Sequence, residues 1–137
     1  MGTTMLRSAA VAIALLVGAT PALAAAPIRT ETVAFDKGAS SKTVNGQVRG
    51  YDSVDYLVSA RAGQTLKVAM KTASPSAYFN VLPPQGEEAL FVGSIAGASY
   101  SGKLTTAGAY RVRVYLMRNA ARRGQTARFS LDIGVTG

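Results

Sequence analysis

The amino-acid sequence predicts an all-β fold, a single antiparallel β-sandwich of about eight strands. From Thr30 onward, short runs of alternating apolar and polar residues are separated by Gly, Pro, Asn, Asp and Ser. This alternation gives each strand one buried and one solvated face, and the spacing of the turns is typical of a sandwich. The same part of the chain has no helical periodicity. The lack of cysteine also favours a sandwich, because a fold without disulfides needs a full apolar interior.

The first four runs are regular. Their inward-facing positions are, in order, Val33 and Phe35; Val44, Gly46 and Val48; Val54, Tyr56, Val58 and Ala60; and Leu66, Val68 and Met70. The segments between them are rich in Gly, Asp and Ser, which predicts turns at residues 36–41, 49–53 and 61–64.

The middle of the chain is less regular. A run over residues 77–82 ends at Pro83 and Pro84, and two prolines cannot lie inside a central strand. Residues 83–88 are therefore predicted to form a surface loop or crossover. A short run over residues 89–93 follows, and the glycines of residues 93–102 indicate a long, adaptable loop.

The last two runs alternate over the greatest length. Their inward-facing positions are Tyr110, Val112, Val114 and Leu116, and then Ala127, Phe129, Leu131, Ile133 and Val135. They are predicted to form a hairpin whose connection holds a short helical turn, capped by Asn119 and ended by Gly124 in a left-handed conformation. That turn would place Arg118 and Arg122 four residues apart, on one side.

Residues 1–24 are predicted to be a cleaved secretory signal peptide. They contain a basic residue, Arg7, an apolar run over residues 9–17 and the small-x-small motif Ala22–Ala24. The apolar run is too short for a transmembrane segment, which needs about 20 residues. Cleavage after the motif would leave residues 25–137 as one domain with its own core, exported to the periplasm.

The predicted mature domain is strongly basic. Without Arg7, 14 of the 15 Lys and Arg residues remain against 7 Asp and Glu residues, a net charge of +7. Solubility is the simplest explanation of such a charge. In the cell envelope, the charge also favours binding to anionic lipid headgroups, to wall polymers or to an acidic cleft on a partner protein.

The composition excludes most enzyme chemistry. The chain has no His and no Cys, which excludes nucleophilic triads, imidazole acids or bases, and zinc or copper sites built on those ligands. The carboxylates Asp52, Asp55 and Asp132 and the Glu87-Glu88 pair are predicted to lie in turns or loops or on solvated strand faces. We therefore predict a binding protein without catalytic residues, metal or cofactor.

Arginines concentrate around the last two runs. Arg118, Arg122 and Arg123 lie on one short connection, so solubility alone explains them less well than it explains scattered charges. Guanidinium groups bind carboxylates bidentately, which suits this connection to an acidic partner. Arg111 and Arg113 adjoin this surface. Solubility on an edge strand is the first explanation for Arg111, Arg113 and Arg128.

Four motifs of the chain occur together in a known family. They are Gly50-Tyr51-Asp52, Ala62-Gly63-Gln64, Gly108-x-Tyr110-x-Val112-Arg113-Val114 and Arg118-Asn119-x-Ala121-Arg122. The combination resembles the periplasmic inhibitors of g-type lysozyme. The last motif is the most specific, whereas the Gly-x-Tyr and Ala-Gly-Gln elements also occur in other secreted sandwiches, including pre-peptidase C-terminal modules. The resemblance implies a tyrosine and two arginines that block the lysozyme cleft, here Tyr51, Arg118 and Arg122, with Asn119 and Arg123 beside them.

The resemblance implies inhibition without any chemistry from the inhibitor. A lysozyme cleft presents a catalytic carboxyl group and hydrogen-bonding subsites, which arginine and tyrosine side chains can occupy in place of sugar. Lysozymes are often basic, so long-range steering of this basic domain is not expected. The alternative is a basic envelope module that binds wall glycan, lipopolysaccharide or an exported protein. A nucleic-acid partner is not expected, since the chain has no recognised binding motif.

Overall fold

The fold has nine strands and two short helices within the residues that the computed structural model describes, which are Gly2 and 27–137. The predicted signal peptide lies outside the described residues, apart from Gly2. The strands are β1 (Ile28–Thr32), β2 (Ser41–Arg49), β3 (Ser53–Ala60), β4 (Thr65–Thr72), β5 (Ala77–Leu82), β6 (Phe91–Val92), β7 (Ser99–Lys103), β8 (Gly108–Leu116) and β9 (Thr126–Thr136). The helices are α1 (Gly93–Ala96) and α2 (Arg118–Arg122). The prediction of an all-β fold is confirmed.

The strands form two sheets. The first sheet has the order β1-β3-β8-β5-β6, and the second has the order β2-β9-β4-β7. The pairs are antiparallel except for β1 and β3, which run parallel with Ile28 opposite Ser53. The expectation of a wholly antiparallel arrangement is therefore wrong at this pair. A parallel pair needs a crossover connection, and here the chain crosses through β2 of the other sheet.

The two longest alternating runs do not form a hairpin. Strand β8 is the central strand of the first sheet and pairs with β3 and β5. Strand β9 lies inside the second sheet, between β2 and β4. The connection that holds α2 therefore crosses from one sheet to the other. A period of two shows which face of a strand is buried but not which sheet the strand joins.

The alternation correctly identifies the core. The residues at the centre of the last two strands are all buried, namely Val112, Val114, Phe129, Leu131 and Ile133. The sheets meet where Tyr56 of β3 contacts Phe129 edge to face, with ring centroids 6.1 Å apart and planes at 81°. A Cβ at Gly46 of β2 would overlap the Tyr56 hydroxyl and lie 2.8 Å from the Phe129 ring. Glycine at this position therefore makes room for the contact between the sheets.

The middle of the chain is more ordered in secondary structure than the sequence predicts. Residues 83–88 form the expected surface loop. Residues 93–102, however, contain α1 and most of β7, which pairs with β4 at the edge of the second sheet. Tyr100 of β7 packs on Phe91 with ring centroids 5.4 Å apart. The prediction of a long, adaptable loop is wrong here. The packing of Tyr100 on Phe91 favours an ordered strand more strongly than the glycines favour a loop.

Candidate functional site

Helix α2 packs against the core through two small residues, Ala120 and Ala121, which are both buried. Because alanine side chains are short, the helix backbone lies close to the core, and the other side of the helix faces solvent. This exposed side carries Arg118, Asn119 and Arg122. One helical turn separates the two arginines, so the structure places them on the same short element as predicted.

The sequence predicts the C-terminal end of α2 correctly but not its N-terminal end. Met117 is the N-cap residue, and Asn119 lies inside the helix, where its Oδ1 accepts a hydrogen bond from the Ala120 N–H (2.8 Å). The prediction that Asn119 caps the helix is therefore wrong. The prediction for Gly124 is confirmed, since its φ is 66° and its N–H donates to the Ala121 carbonyl (2.9 Å). A left-handed residue here ends the helix and directs the chain into β9.

Tyr51 lies in the turn between β2 and β3, next to α2. Gly50 has a φ of 60°, and the Asp52 N–H donates to the Arg49 carbonyl (3.0 Å) to close the turn. The Gly50 N–H donates to the carbonyl of Gln125 (2.9 Å), which follows α2 along the chain. This hydrogen bond holds the turn beside the C-terminal end of the helix. The Tyr51 side chain is left 55% exposed.

Met117 is a residue of this surface that sequence analysis did not single out. Its side chain is 39% exposed, although its N–H is fixed by a hydrogen bond to the Ser76 carbonyl (2.9 Å). Among the described residues, five large apolar side chains are exposed, and two of them, Met117 and Tyr51, border α2. Interface cores are enriched in Met, Tyr and Arg. The sequence does contain a signal for this residue, since Met117 is apolar and falls at an outward-facing position of the strand pattern.

The arginines at α2 form no ion pair with any described residue. Arg118, Arg122 and Arg123 are all exposed, whereas every ion pair within the described residues lies on the first sheet or its 83–88 loop. The positive charge at α2 is therefore available to a partner.

Arg113 has a structural role instead. Its Nε and Nη2 donate to the two carboxylate oxygens of Asp55 at 2.7 and 2.9 Å, and these hydrogen bonds raise the pKa of Arg113. Asp55 is only 5% exposed, so the prediction of a solvated carboxylate is wrong. The prediction that Arg111, Arg113 and Arg128 lie on edge strands is also wrong, because β8 and β9 are both internal.

Arg111 fastens a loop. Its Nη1 donates to Glu87 Oε1 (2.9 Å), and its Nη2 donates to the carbonyls of Pro83 (3.1 Å) and Gly86. The hydrogen bond from Arg111 lowers the pKa of Glu87. These contacts hold residues 83–88 against the outer face of the first sheet. Arg111 and Arg113 are therefore engaged within the molecule and do not extend the α2 surface.

The described residues contain no group of three His, Cys, Asp or Glu side chains arranged as metal ligands. Nor is either helix in the described part of the chain long and apolar enough to cross a membrane. The groups that the α2 surface does present are guanidinium forks, a phenol and a thioether. These groups bind through charge, hydrogen bonds and packing.

Fold and site together define a small, β-rich binding protein that presents arginines on a helix fixed to its core. No family model matches the chain. Aeromonas hydrophila PliG, a periplasmic inhibitor of g-type lysozyme, is 36% identical, with a TM-score of 0.74 over 80% of this chain and 97% of that chain. Salmonella Typhimurium PliG is 26% identical, with a TM-score of 0.64 over 79% of this chain and 98% of that chain.

A curated relative agrees with these structures. The inhibitor of g-type lysozyme from Escherichia coli (strain K12) is 29% identical over 111 residues, which are 75% of this chain and 78% of that protein. The chain belongs to the family of periplasmic inhibitors of g-type lysozyme. The resemblance drawn from the sequence motifs is confirmed, and the relatives are inhibitors rather than enzymes.

Proposed function

We propose that this protein inhibits a g-type lysozyme in the periplasm and blocks its active-site cleft with Tyr51, Arg118 and Arg122. The observation that carries the proposal is the cluster at α2, where exposed arginines without an ion pair in the described residues stand beside an exposed tyrosine. Family membership supplies the class of partner. We interpret the two sheets around their shared core as a β-sandwich scaffold.

The backbone beneath this cluster is anchored to the rest of the fold. Ala120 and Ala121 are buried in the core, and the Gly50 N–H ties the Tyr51 turn to the Gln125 carbonyl. Binding then orders only side chains, which lowers the entropic cost of association. A pre-organised surface of this kind is suited to tight inhibition.

The chemistry of the cluster matches a lysozyme cleft. A guanidinium fork pairs with a carboxylate in two parallel hydrogen bonds, and the pair is strong once water is excluded. Tyr51 and Met117 add apolar surface that excludes water, and the Tyr51 hydroxyl can hydrogen-bond in a sugar subsite. Arg123 and Asn119 lie at the border of the same surface. Inhibition in this scheme is occupation of the cleft.

The test is a turbidity assay of wall lysis by g-type, c-type and i-type lysozymes, with purified protein and single alanine variants of Arg118 and Arg122. Each substitution is expected to weaken inhibition of the g-type enzyme by roughly 2 to 5 kcal/mol, partly because the partner carboxylate is left unpaired. Lysine at either position should rescue poorly, since it cannot reproduce the fork. The two effects should not add, because both side chains act at one site.

Arg61→Ala is a matched control, since Arg61 is an exposed arginine in the turn at the opposite end of β3 from Tyr51. It should inhibit like the parent. The proposal is wrong if the Arg118→Ala, Arg122→Ala double variant remains folded and inhibits as well as the parent. It is also wrong if the parent fails to inhibit g-type enzymes at micromolar concentration.

Salt dependence separates this function from the alternative of a basic envelope module that binds wall glycan, lipopolysaccharide or an exported protein. A module that binds through exposed charges should lose affinity steeply as salt rises. Inhibition through desolvated arginine–carboxylate pairs should not weaken over the same range.

A further inference from the structure

The outer face of the second sheet carries a large positive charge that the α2 surface does not include. The side chains of β2, β4, β7 and β9 that alternate with the buried ones form this face, which we name the basic face. Its cations are Arg49, Lys67, Lys71, Lys103 and Arg128. Its single acid is Asp132, whose Oδ1 accepts a hydrogen bond from the Thr43 hydroxyl (2.6 Å). None of the five cations forms an ion pair with a described residue.

The first sheet shows the opposite pattern. Its outward arginines are matched by acids, as Arg113 is by Asp55 and Arg111 by Glu87. At the edge of this sheet, Arg29 of β1 lies in register with the buried Val54 and pairs with Glu31 at 3.2 Å. The fold therefore neutralises one sheet and leaves the other charged. Solubility requires net charge but does not require this segregation onto one face.

The basic face has two open depressions. Between Lys67 and Asp132 lies a depression of about 530 Å³, whose floor is mostly apolar and includes Ala69 and Gly134. Ser99 and Ser101 line the side formed by β7. A shallower depression of about 710 Å³ lies on the same face, and the side chains of Lys71, Arg128 and Ser130 border it. Cations, hydroxyls and an apolar floor thus occur together on one surface.

We propose that the basic face binds an anionic glycan chain. Lysine and arginine pair with the carboxylates or phosphates of such a chain. Serine hydroxyls exchange hydrogen bonds with sugar hydroxyls, and the apolar floor receives the C–H face of a sugar ring. A polymer can occupy both depressions at once, so several weak contacts act together.

The face is poorly suited to the other common polyanions. A bilayer surface is usually bound by inserted apolar side chains, and none of the five exposed large apolar residues of the described chain lies on β2, β4, β7 or β9. Single-stranded nucleic acid is usually bound by stacking on aromatic rings. Tyr100 lines the first depression, but its ring packs inward on Phe91, with ring centroids 5.4 Å apart.

The test measures binding of polygalacturonate, a carboxylated polysaccharide, to the folded protein at low salt, with uncharged dextran as the ligand control. The Lys67→Gln, Lys71→Gln double variant should bind polygalacturonate on the order of tenfold more weakly, because two charge contacts to a polyanion are lost. Ala69→Leu should also weaken binding without changing charge, since leucine fills the depression.

The matched control is the Arg118→Gln, Arg122→Gln double variant, which removes the same charge from α2. It should retain polygalacturonate binding, and the lysine double variant should retain inhibition of g-type lysozyme on a soluble chitooligosaccharide substrate. The proposal is overturned if both double variants lose polysaccharide binding equally, which would show an effect of net charge. It is also overturned if the parent binds dextran equally well, binds neither polymer, or binds vesicles containing phosphatidylglycerol but not polygalacturonate.

Discussion

At the scale of single residues, the role of an arginine in this chain depends on which acids lie within its reach. Arg113 faces Asp55 across a strand pair and becomes part of the fold. Arg111 reaches the 83–88 loop and fastens it. Arg118 has no acidic partner among the described residues and remains exposed to solvent. The same type of side chain thus contacts neighbouring elements of the fold in two places and is left exposed in the third.

The pair between Asp55 and Arg113 leads to a stability prediction. Asp55→Ala would leave the Arg113 guanidinium partly buried without its main partner, and we expect a loss of about 2 to 3 kcal/mol in urea unfolding. The loss should fall short of that for a fully buried pair, because Glu87 Oε2 lies 3.6 Å from Arg113. Asp132→Ala is the control, since Asp132 is exposed, and it should cost less than about 1 kcal/mol.

A double variant, Asp55→Ala with Arg113→Met, tests the cause of this loss. Removing both charges leaves no guanidinium without its partner, so the double variant should be more stable than the sum of the two single effects implies. An Asp55→Ala variant as stable as the parent would show that the pair contributes nothing.

At the scale of elements, alternation predicted the buried faces of the strands but not how the strands assemble. Alternation predicts that Phe129 and Leu131 lie in the core, because burial repeats every second residue, and both are buried. The prediction for Asp55 is wrong because Asp55 falls on the outer face, and the sequence does not show that Arg113 lies directly opposite. The prediction of a hairpin is wrong for a related reason, since pairing partners are set by long-range packing rather than by local pattern. The residues of the connection predict a helical turn at α2, but they do not predict the residue at which the helix begins.

The 83–88 loop should be sensitive to pH through Glu87. The hydrogen bond from Arg111 lowers the pKa of Glu87 from its usual 4.5. A carboxylate whose pKa is depressed in the folded state stabilises above its unfolded pKa, and this contribution is lost as the pH falls through the folded pKa. We therefore expect the contact with Glu87 to help hold the loop at neutral pH and to weaken as the pH falls below 4.5, while the hydrogen bonds from Arg111 to the Pro83 and Gly86 carbonyls remain.

NMR titration of the loop amides measures this loss of the Glu87 contact. In a Glu88→Gln background, their chemical shifts should change with a midpoint below 4.5, and adding Glu87→Gln should remove the transition. A midpoint at or above that value, or a transition that persists in Glu87→Gln, would show that the hydrogen bond with Arg111 does not hold the loop.

At the scale of the whole molecule, the sequence predicted the sign of the charge but not its distribution. The formal net charge is +8 over the full sequence. Which cations are neutralised depends on register, since Arg113 meets Asp55 only because β3 and β8 pair as they do. The candidate site was predictable in part, because Arg118 and Arg122 share one short motif. The place of Tyr51 beside that motif depends on the hydrogen bond from Gly50 to Gln125, which joins segments far apart in sequence.

This distribution of charge predicts opposite salt effects for the two proposed partners. Binding of an anionic glycan should weaken as salt rises, because attraction between opposite charges is screened. Association with a lysozyme that is itself basic should instead become faster, because the same screening reduces repulsion between two positive molecules. The dissociation rate should change little, since it depends on desolvated contacts at α2.

Surface plasmon resonance with an immobilised, basic g-type lysozyme measures both rates. The association rate constant should rise from low to physiological salt. Lys67→Gln with Lys71→Gln should raise it at low salt without changing dissociation, because those lysines repel the enzyme but do not touch it. Arg118→Ala should act mainly on dissociation, since truncating one member of a buried charge pair raises the off-rate. An association rate that falls as salt rises would mean that local attraction between α2 and the cleft already dominates at long range, and that the basic face does not oppose the encounter.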